Sequence, residues 1–438
     1  MARRAGAEVP PVDSDSADVI VVGGGPAGAA TAFHLARAGV RVTILDRAHF
    51  PRDKPCSEYM SPQASRILDA MGVLDRIEGS GAAHLAGMRV RAPNGTTFHG
   101  RFAEVDGFRG YRDRGLALRR TILDNLLLDR ARGVGAIVRE GVRVTTLRRD
   151  SRGRVTGVEA IDESGETRTL PASIVVGADG LRSVVARRLD LAATRLAQRR
   201  IAFVTHFAGI DMGDSGEMHV ERDGYLGLAD VGGGLTNVAV VVPRTRAREA
   251  SGDPAGFVDA WIRRRPHVAP RFEKAVRVTP VLATGPFASA ARRAWAPGAA
   301  LVGDAADFFD PFTGEGIYAA LRGAELLAPR IIDALAATTP DDGDASLRAY
   351  DRVRISEFRG KWAVEQIIGA AVTFPAVMNV AARSLALRPH MAHTIVGVTG
   401  DFVPAREVLR PSFLLRLLIP WTRGTKRQGR ALANHEAP

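Results

Sequence analysis

The chain has 438 residues, of which 46% are hydrophobic and 25% charged, a balance that is typical of globular proteins and excludes a fibrous or wholly disordered class. Lys and Arg outnumber Asp and Glu by 12, but the excess is scattered Arg without interleaved aromatic residues, which argues against a nucleic-acid partner. The single cysteine, Cys56, excludes an intramolecular disulfide and, together with the polar first residues, predicts a cytoplasmic protein.

The chain opens with a predicted disordered arm over residues 1–17, which lack periodicity. A buried strand over 18–22, a helix over 26–38 and a second strand over 40–45 follow, and together they predict a β-α-β unit. Between the first strand and the helix, the spacing G-x-G-x-x-G is typical of a turn that binds a dinucleotide. The predicted cofactor-binding residues of this turn are Gly23, Gly25, Pro26, Ala27 and Gly28.

Two charged residues end the second strand. Asp46 lies 18 positions after Gly28, where an acid accepts hydrogen bonds from ribose hydroxyls, and Arg47 is a candidate neighbour of the adenine. Either side chain could instead be a solvated charge at the end of a strand. An acid at position 46 argues against a 2′-phosphate, but the turn alone does not separate NAD from FAD.

The rest of the chain alternates between helical and strand patterns. Helices are predicted over 61–71 and 119–131, meander strands over 142–149, 155–162 and 167–176, and a hairpin-rich sheet over 201–242. A strand over 299–302 and a helix over 316–335 return the chain to the nucleotide unit, and long helices follow over 346–387. We therefore predict a discontinuous cofactor domain (18–83, 105–200 and 285–345), a β-rich substrate domain (84–104 and 201–284) and a helical C-terminal region (346–438).

Two later motifs resolve the choice of cofactor. One strand closes with Gly177-Ala178-Asp179-Gly180 and another with Gly303-Asp304-Ala305-Ala306. With the glycine turn, these motifs resemble the flavoprotein superfamily of geranylgeranyl reductases, aromatic-ring hydroxylases and flavin-dependent halogenases over residues 18–335. The resemblance implies FAD and an α/β fold: a Rossmann-like FAD-binding domain of the glutathione reductase or p-hydroxybenzoate hydroxylase type, with an inserted β-sheet substrate domain.

The same resemblance implies roles for individual residues. Asp179 and Gly180 would lie near the pyrophosphate and the approach of NAD(P)H, and Gly303 and Asp304 would bind the ribityl chain. Arg120 matches the arginine of the family's R-x-x-L-D helix, which lies beside the flavin or its phosphates. Alternatively, Arg120 is a solvated charge at the start of a helix.

Two loops resemble geranylgeranyl reductases in particular. In the loop 310–317, Gly314 and Gly316 would let the backbone pass close to the isoalloxazine, beside Pro311 and Ile317, and the following helix N-terminus would stabilise negative charge on reduced flavin. The segment Lys54-Pro55-Cys56-Ser57-Glu58 resembles the reductases' K-P-C-G-E region, with Ser57 in place of glycine. Cys56 and Glu58 are the candidate catalytic residues, although Cys56 could also be a small buried hydrophobe.

These motifs predict an FAD-dependent oxidoreductase that acts on a hydrophobic prenyl, polyketide or lipid-like phenol substrate. Alkene reduction and flavin monooxygenation both remain open, whereas halogenation is disfavoured because no tryptophan stands in a W-x-W-x-I-P motif. A non-catalytic prenyl-binding or electron-transfer flavoprotein is the alternative of a different class. Because no second dinucleotide turn is present, NAD(P)H would bind only transiently, unless electrons arrive from another carrier.

Two features near the C-terminus complete the expectations. His390 and His393 have H-x-x-H spacing but no accompanying cluster of acids or cysteines, so we expect no metal. The apolar run 413–421 with basic flanks is compatible with peripheral contact with a membrane surface, or with packing in the core or an oligomer.

Overall fold

The structure, a computed structural model, describes residues 17–194, 200–287, 289–308 and 310–419. The predicted arm 1–17 lies outside these residues except for Ala17, which begins the first strand. The strands are β1 Ala17–Val22, β2 Val42–Leu45, β3 Tyr59–Met60, β4 Ala83–Leu85, β5 Gly87–Arg91, β6 Thr97–Arg101, β7 Gly115–Ala117, β8 Ile137–Arg139, β9 Arg143–Arg149, β10 Val155–Ile161, β11 Thr167–Gly177, β12 Ala192–Thr194, β13 Arg200–Ala208, β14 Ser215–Glu221, β15 Gly224–Asp230, β16 Leu235–Pro243, β17 Val276–Arg277, β18 Leu282–Thr284, β19 Ser289–Ala291, β20 Trp295–Ala296, β21 Ala299–Leu301 and β22 Asp307–Phe308. The helices are α1 Pro26–Arg37, α2 Ala64–Ala70, α3 Leu74–Gly79, α4 Arg120–Arg132, α5 Val184–Arg188, α6 Arg244–Ala247, α7 Pro254–Arg263, α8 Gly316–Ala336, α9 Pro340–Thr373, α10 Pro375–Leu387, α11 Pro389–Thr399, α12 Arg406–Leu409 and α13 Pro411–Leu418.

The first sheet is the nucleotide-binding core. Its strands run in the order β20-β21-β11-β1-β2-β8, and β21, β11, β1, β2 and β8 are mutually parallel. Strand β11 continues beyond this sheet into an antiparallel meander with β10 and β9. Because α1 packs against both α4 and α8, the helix that follows the glycine turn is enclosed on the sheet. Parallel strands covered in this way are apolar runs, as the burial of all four residues of β2 illustrates.

The second sheet is mostly antiparallel and follows the order β17-β13-β16-β15-β14-β5-β6, with β18 also paired to β13. Alternate residues of its strands point to opposite faces. Phe203 and Val240 pack on one face with Trp261 of α7, whereas Val204 and Val241 pack on the other face with apolar residues of α9 to α11. This sheet is therefore covered on both faces, and its α9–α11 face closes a chamber beside the nucleotide-binding core.

Two small sheets join these units. One has the order β3-β7-β4 and the other the order β12-β19-β22. Strand β4 overlaps residues 84 and 85, which we placed in the substrate domain, but it pairs with β7 rather than with the large antiparallel sheet. Strands β5 and β6 do join that sheet, through the parallel pairing of β5 with β14.

The C-terminal region is helical, and its first two helices meet at a sharp bend. Helix α9 ends at Thr373 because Pro375 restricts the residue before it and starts α10. Among the described residues no single helix has the length and apolar composition to cross a membrane. Helices α9 and α10 have that length and composition only when they are taken together, and the angle between them is 112°. The predicted apolar run 413–421 falls on α13, while residues 420 and 421 lie outside the described chain.

Helix α13 has one packed side and one open side. Phe413 and Leu417 contact the core between the large antiparallel sheet and the C-terminal helices. Leu415, Leu418 and Ile419 are exposed. Contact of this helix with a membrane or with a second copy stays a prediction.

The architecture confirms the expected fold class. The first β-α-β unit, the meander, the hairpin-rich sheet and the returning strand and helix all lie where the sequence pattern predicts, with bounds that differ by one to three residues. The exception is the long C-terminal pattern, whose helix begins at Pro340, six residues before the predicted start. The division into domains stays a prediction, although the strands of the two large sheets follow it.

Close packing of α11 on β6 gives a test of how the C-terminal region is attached. A Cβ at Gly100 would lie 2.5 Å from the carbonyl oxygen of Ala392 and 2.3 Å from a methyl group of Val396. We expect Gly100→Ala to lower the free energy of unfolding by about 1–3 kcal/mol, because α11 must move outward. The control Gly213→Ala, where nothing lies within 4 Å, should change it by less than about 0.5 kcal/mol. Equal chemical-denaturation midpoints for the two variants would contradict this packing.

Candidate cofactor and substrate site

The glycine turn after β1 has no space for a side chain at two of its three motif glycines and has space at the third. Gly23 has φ +103°, and a Cβ there would lie 2.6 Å from the carbonyl oxygen of Ala178. A Cβ at Gly28 would lie 1.9 Å from the carbonyl oxygen of Gly23, so helix and strand require glycine there. At Gly25, directly before α1, the nearest atom to such a Cβ is 3.6 Å away, on Arg52. Only the second glycine of the motif therefore offers backbone that a ligand can approach.

Asp46 is held at the end of β2 by backbone donors. The carboxylate is buried, and its oxygens accept hydrogen bonds from the N–H of Gly24 at 2.7 Å and of Ala48 at 2.9 Å. Each carboxylate oxygen has a second lone pair, so hydrogen bonds from ribose hydroxyls are compatible with this geometry. Arg47 is exposed beside it.

Two guanidinium groups lie at the open side of the turn. The buried Arg120 makes a two-pronged ion pair with Asp124 at 2.6 and 2.7 Å, and Arg52 lies 3.2 Å from the same carboxylate. Burial disfavours the charge on Arg120, but Asp124 and Cys56 outweigh it and hold the pKa of Arg120 above its usual range. Arg52 also lies 4.0 Å from a carboxylate oxygen of Asp46, and the two guanidinium groups beside Gly25 suit a pyrophosphate.

The motif after β11 leaves one oxygen unused. Asp179 caps the turn of helix that follows, because one carboxylate oxygen accepts the N–H of Val184 at 2.5 Å. The other oxygen is buried and has no hydrogen-bond partner among the described residues. Burial raises the pKa of Asp179 against the lowering effect of hydrogen bonds from Ser183 and Val184. An unpaired buried oxygen beside the glycine turn is the kind of group that a bound cofactor satisfies.

Lys54 joins two of the motifs across the cleft. Its ammonium nitrogen lies 3.8 Å from a carboxylate oxygen of Asp304 and 3.6 Å from the position of a Cβ at Gly180. Gly180 and Gly303 have φ +77° and +63°, so both turns use conformations that favour glycine. Asp304 faces Gly316, where a Cβ would be 3.9 Å away.

The loop before α8 brings backbone against an aromatic ring. Gly314 has φ +73°, and a Cβ there would lie 2.9 Å from the ring of Tyr59. Glu315 and Gly316 then begin α8, whose N-terminus carries partial positive charge. Tyr59 is fully buried, its hydroxyl has no hydrogen-bond partner in the described chain, and burial raises its pKa well above the usual range.

A cavity of about 220 Å³ connects these elements with the chamber on the antiparallel sheet. Most of the predicted site residues line it: Gly25, Pro26, Ala27, Cys56, Arg120, Gly180, Asp304, Pro311, Gly314, Gly316 and Ile317. The others are not part of the lining: Gly23, Gly28, Asp46, Arg47, Glu58, Asp179 and Gly303. The far wall is mainly apolar and comes from Ala202, Val204, Met218, Leu228, Ala239, Val241, Phe287, Phe308, Phe312 and Trp362.

The two candidate catalytic residues occupy different positions. Cys56 is half-buried, lines the cavity, and its sulfur accepts the N–H of Glu58 at 3.4 Å. Glu58 is 1% exposed and lies behind the lining. Its carboxylate accepts the N–H of Arg120 at 2.8 Å and a side-chain N–H of Asn237 at 3.0 Å, and lies 2.7 Å from Nε2 of His206. Glu58 therefore joins the cofactor unit to the antiparallel sheet.

Several contributors escaped the sequence reasoning. Arg52 precedes the recognised Cys56 segment and Lys54 begins it, but neither was assigned a role, and their charge was the only signal of one. His206 and Asn237 are cross-strand partners in β13 and β16 and carry no motif. The pair His390 and His393 lies elsewhere: His390 approaches Asp106 at 3.1 Å, and His393 accepts the N–H of Arg101 at 2.9 Å.

The residues fit FAD on three observations. The turn has open backbone only at Gly25, two arginines face it, and Asp179 presents an unpaired buried oxygen. We expect Asp46 to hold the ribose, Arg120 and Arg52 the pyrophosphate, and Asp304 with Lys54 the ribityl chain. These assignments of individual contacts are predictions.

Comparison with known proteins identifies the family of the chain. Residues 16–356 match the FAD binding domain family, and the chain belongs to it. A digeranylgeranylglycerophospholipid reductase of Methanothrix thermoacetophila is 30% identical over 76% of this chain and 82% of its own length. A menaquinone reductase of Mycobacterium tuberculosis is 29% identical over 72% and 76%.

Solved structures show the same fold. A flavoprotein/dehydrogenase from Cytophaga hutchinsonii superposes with a TM-score of 0.77 at 20% identity, covering 92% of this chain and 96% of its own. A triple mutant of the flavin-dependent brominase Bmp2 superposes with a TM-score of 0.76 at 18% identity, covering 91% and 99%. The protein is an FAD-dependent oxidoreductase of the geranylgeranyl reductase and aromatic-ring hydroxylase superfamily.

The open position in the glycine turn separates cofactor binding from folding. In Gly25→Ala the new methyl group has room and the backbone is in an ordinary extended conformation. The free energy of unfolding of the apoprotein should therefore change by less than about 0.5 kcal/mol. We expect FAD affinity, measured by fluorescence titration of the apoprotein, to fall at least about tenfold, because the pyrophosphate needs that space. Gly28→Ala, with its clash against Gly23, should instead prevent stable folding. Unchanged FAD affinity in Gly25→Ala would place the pyrophosphate elsewhere.

The buried contacts of Glu58 predict a structural cost for its removal. Glu58→Ala leaves the donors of His206, Asn237 and the Arg120 backbone without an acceptor. We expect the free energy of unfolding to fall by about 3 kcal/mol. The exposed Glu166→Ala, which loses only a surface pair with Arg168, should cost less than about 1 kcal/mol. A Glu58→Ala protein of wild-type stability that has lost turnover would instead support a catalytic role.

Proposed function

We propose that the enzyme reduces a carbon–carbon double bond in a hydrophobic substrate that carries a prenyl or similar lipid-like chain, with NAD(P)H as the electron donor. The observation that supports this most directly is the continuity of the cavity. It runs from Gly25 and Asp304 at the cofactor elements to apolar side chains of the antiparallel sheet. A substrate in the apolar part would meet the reactive end of the cofactor where Gly314 and Cys56 line the wall.

The apolar part of the wall fits a substrate without charge. It includes small and branched residues of the sheet, such as Ala239 and Val204, and the rings of Phe287 and Phe308. Two phenylalanine rings, those of Phe287 and Phe308, pack with centroids 5.3 Å apart. Burying a prenyl chain against such a wall gains about 0.8 kcal/mol per CH₂ removed from water. The names of the two reductase relatives, which refer to a geranylgeranyl lipid and to menaquinone, point in the same direction.

The protein's own contribution is to hold and enclose the reactants. Reduced FAD, when bound, supplies a hydride. The apolar wall excludes water, and the N-terminus of α8 together with Lys54 provides positive charge near Asp304. We propose that NAD(P)H binds transiently on the open side of the cofactor, because the sequence has a single dinucleotide-binding turn.

The assay that tests this function compares reaction types directly. The purified holoenzyme is reduced without oxygen by NADH or NADPH and mixed with a polyprenyl alkene, and the product mass should increase by two hydrogens per reduced bond. A parallel reaction with a prenylated phenol and oxygen tests hydroxylation. Hydroxylated product without alkene reduction would contradict the proposal in favour of monooxygenation. FAD that neither pyridine nucleotide reduces would indicate electron delivery by a protein.

The apolar wall gives the matching variant. Ala239→Phe fills the chamber from β16, and we expect KM for a long polyprenyl substrate to rise about tenfold, equivalent to about 1.4 kcal/mol, with FAD affinity unchanged. Ala283→Phe, an exposed position of β18 outside the cavity, is the control and should keep the wild-type KM. Equal KM values would show that the substrate does not occupy this chamber.

A further inference from the structure

A group of carboxyl groups lines the cavity next to the loop that precedes α8. Both carboxylate oxygens of Asp310 have partners. One lies 2.6 Å from a guanidinium nitrogen of Arg200, and the other accepts a hydrogen bond from the hydroxyl of Tyr225 at 2.7 Å. The backbone N–H of Phe312 also donates a hydrogen bond to the carboxylate of Asp310 at 3.1 Å. Asp310 therefore has a cation of its own and closes the wall between β13, β15 and the loop.

The second carboxyl group shares its cation. Glu315 is 6% exposed and lies 2.9 Å from the ammonium group of Lys361 on α9. The same ammonium group contacts the carboxylate of Asp401, after α11, and lies over the ring of Tyr318. One positive charge is thus divided between two acids, and no positive charge is left over at this point.

The third carboxyl group, Glu365, has no ion-pair partner of its own among the described residues. It lies one turn after Trp362 on α9, and both side chains line the cavity. Lys361, which contacts Glu315, and Glu365 are four positions apart on α9, so the two carboxyl groups lie on the same side of the helix and both line the cavity. Two neighbouring buried carboxyl groups disfavour each other's ionisation, so one of them tends to hold a proton.

Electrostatics decide where that proton stays. Burial raises the pKa of Glu365 well above its usual range, the negative charges of Glu315 and Asp310 raise it further, and Lys361 lowers it only in part. Glu315 keeps the ammonium contact, so it is the ionised member of the pair. Glu365 is then the neutral acid, half-buried in the lining of the cavity.

We propose that Glu365 is a catalytic residue, the acid that donates a proton to the substrate during reduction, and that Glu315 is its positioning residue. This inference rests on the proposed alkene reduction. One alkene carbon receives the hydride supplied by reduced FAD while the other receives the proton of Glu365. The π bond breaks, two C–H bonds form, FAD is left oxidised, and the Glu365 carboxylate regains a proton from water.

Cys56 is the competing proton donor. It also lines the cavity, but its sulfur accepts the N–H of Glu58, and a thiol is a weak donor. Glu365 lines the same cavity beside a second acid, Glu315. The two candidates make opposite predictions for single variants, which allows a direct comparison.

The protonation state is tested without turnover. At neutral pH the infrared spectrum of the wild-type protein should contain a carbonyl band of a buried carboxylic acid that is missing in Glu365→Gln. Because the pKa of Glu365 is higher in the folded than in the unfolded protein, wild-type stability should fall relative to Glu365→Gln as the pH rises above about 4, the pKa of a free glutamate side chain. An absent band, or parallel stability profiles, would overturn the inference.

The kinetic test uses single turnovers of the holoenzyme. In Glu365→Gln, FAD binding and reduction by NAD(P)H should match the wild type, whereas reoxidation of the reduced enzyme by a polyprenyl alkene should slow by about 100-fold or more. Wild-type reoxidation should decline at pH above the pKa of Glu365, and the variant should lose this dependence. Glu357→Gln, on the same helix but paired with Arg322 outside the cavity, is the control and should react like the wild type.

The outcomes separate the two proposals. If the wild type reduces alkenes and Glu365→Gln does so equally fast, while Cys56→Ala does not, the proton comes from Cys56 and only the present inference fails. If the wild type reduces no alkene, the proposed function itself fails, whatever the infrared band shows. Both proposals are supported if Glu365→Gln loses three properties of the wild type: fast reoxidation of the reduced enzyme by the alkene, the carboxylic-acid infrared band and the pH dependence of reoxidation.

Discussion

The carboxylate of Glu58 joins the two parts of the molecule that must meet for a cofactor to face a substrate. It lies behind the cavity wall and contacts the N-terminus of α4 on one side and the side chains of His206 and Asn237 on the other. Because a buried acceptor with three donors tolerates little displacement, the antiparallel sheet is fixed relative to the nucleotide-binding core. This contact fixes the positions of Cys56 and Arg120. Cys56 is two residues before Glu58, and the backbone N–H of Arg120 donates to the Glu58 carboxylate.

Charge is distributed in opposite ways at the two ends of the cleft. At the glycine turn, Arg120 and Arg52 share the buried Asp124, and Arg52 also lies 4.0 Å from Asp46, so two guanidinium groups meet where a pyrophosphate would lie. At the substrate end, acids exceed cations in the part of the chain that the structure describes, because Lys361 is shared by two carboxylates and Glu365 forms no ion pair there. The first arrangement suits a bound anion, and the second suits a stored proton.

Much of the fold and part of the site were predictable from local pattern. The G-x-G-x-x-G turn, Asp46 and the two acidic turns at Asp179 and Asp304 are short-range signals, and the structure places their elements around one cleft. The roles of single residues were less predictable. Glu58 belongs to the Cys56 segment in sequence, yet it does not line the cavity, and its carboxylate instead contacts His206, Asn237 and the backbone of Arg120.

The sequence by itself determined the α/β class and the cofactor, because each depends on a periodicity or on a motif within one strand, turn or helix. Only the tertiary structure decided which distant groups meet. Glu315 and Glu365 are fifty positions apart, and His206 and Asn237 reach Glu58 from another sheet. Contacts of this kind arise from how sheets and helices pack, and packing leaves no spacing in the sequence that would reveal them.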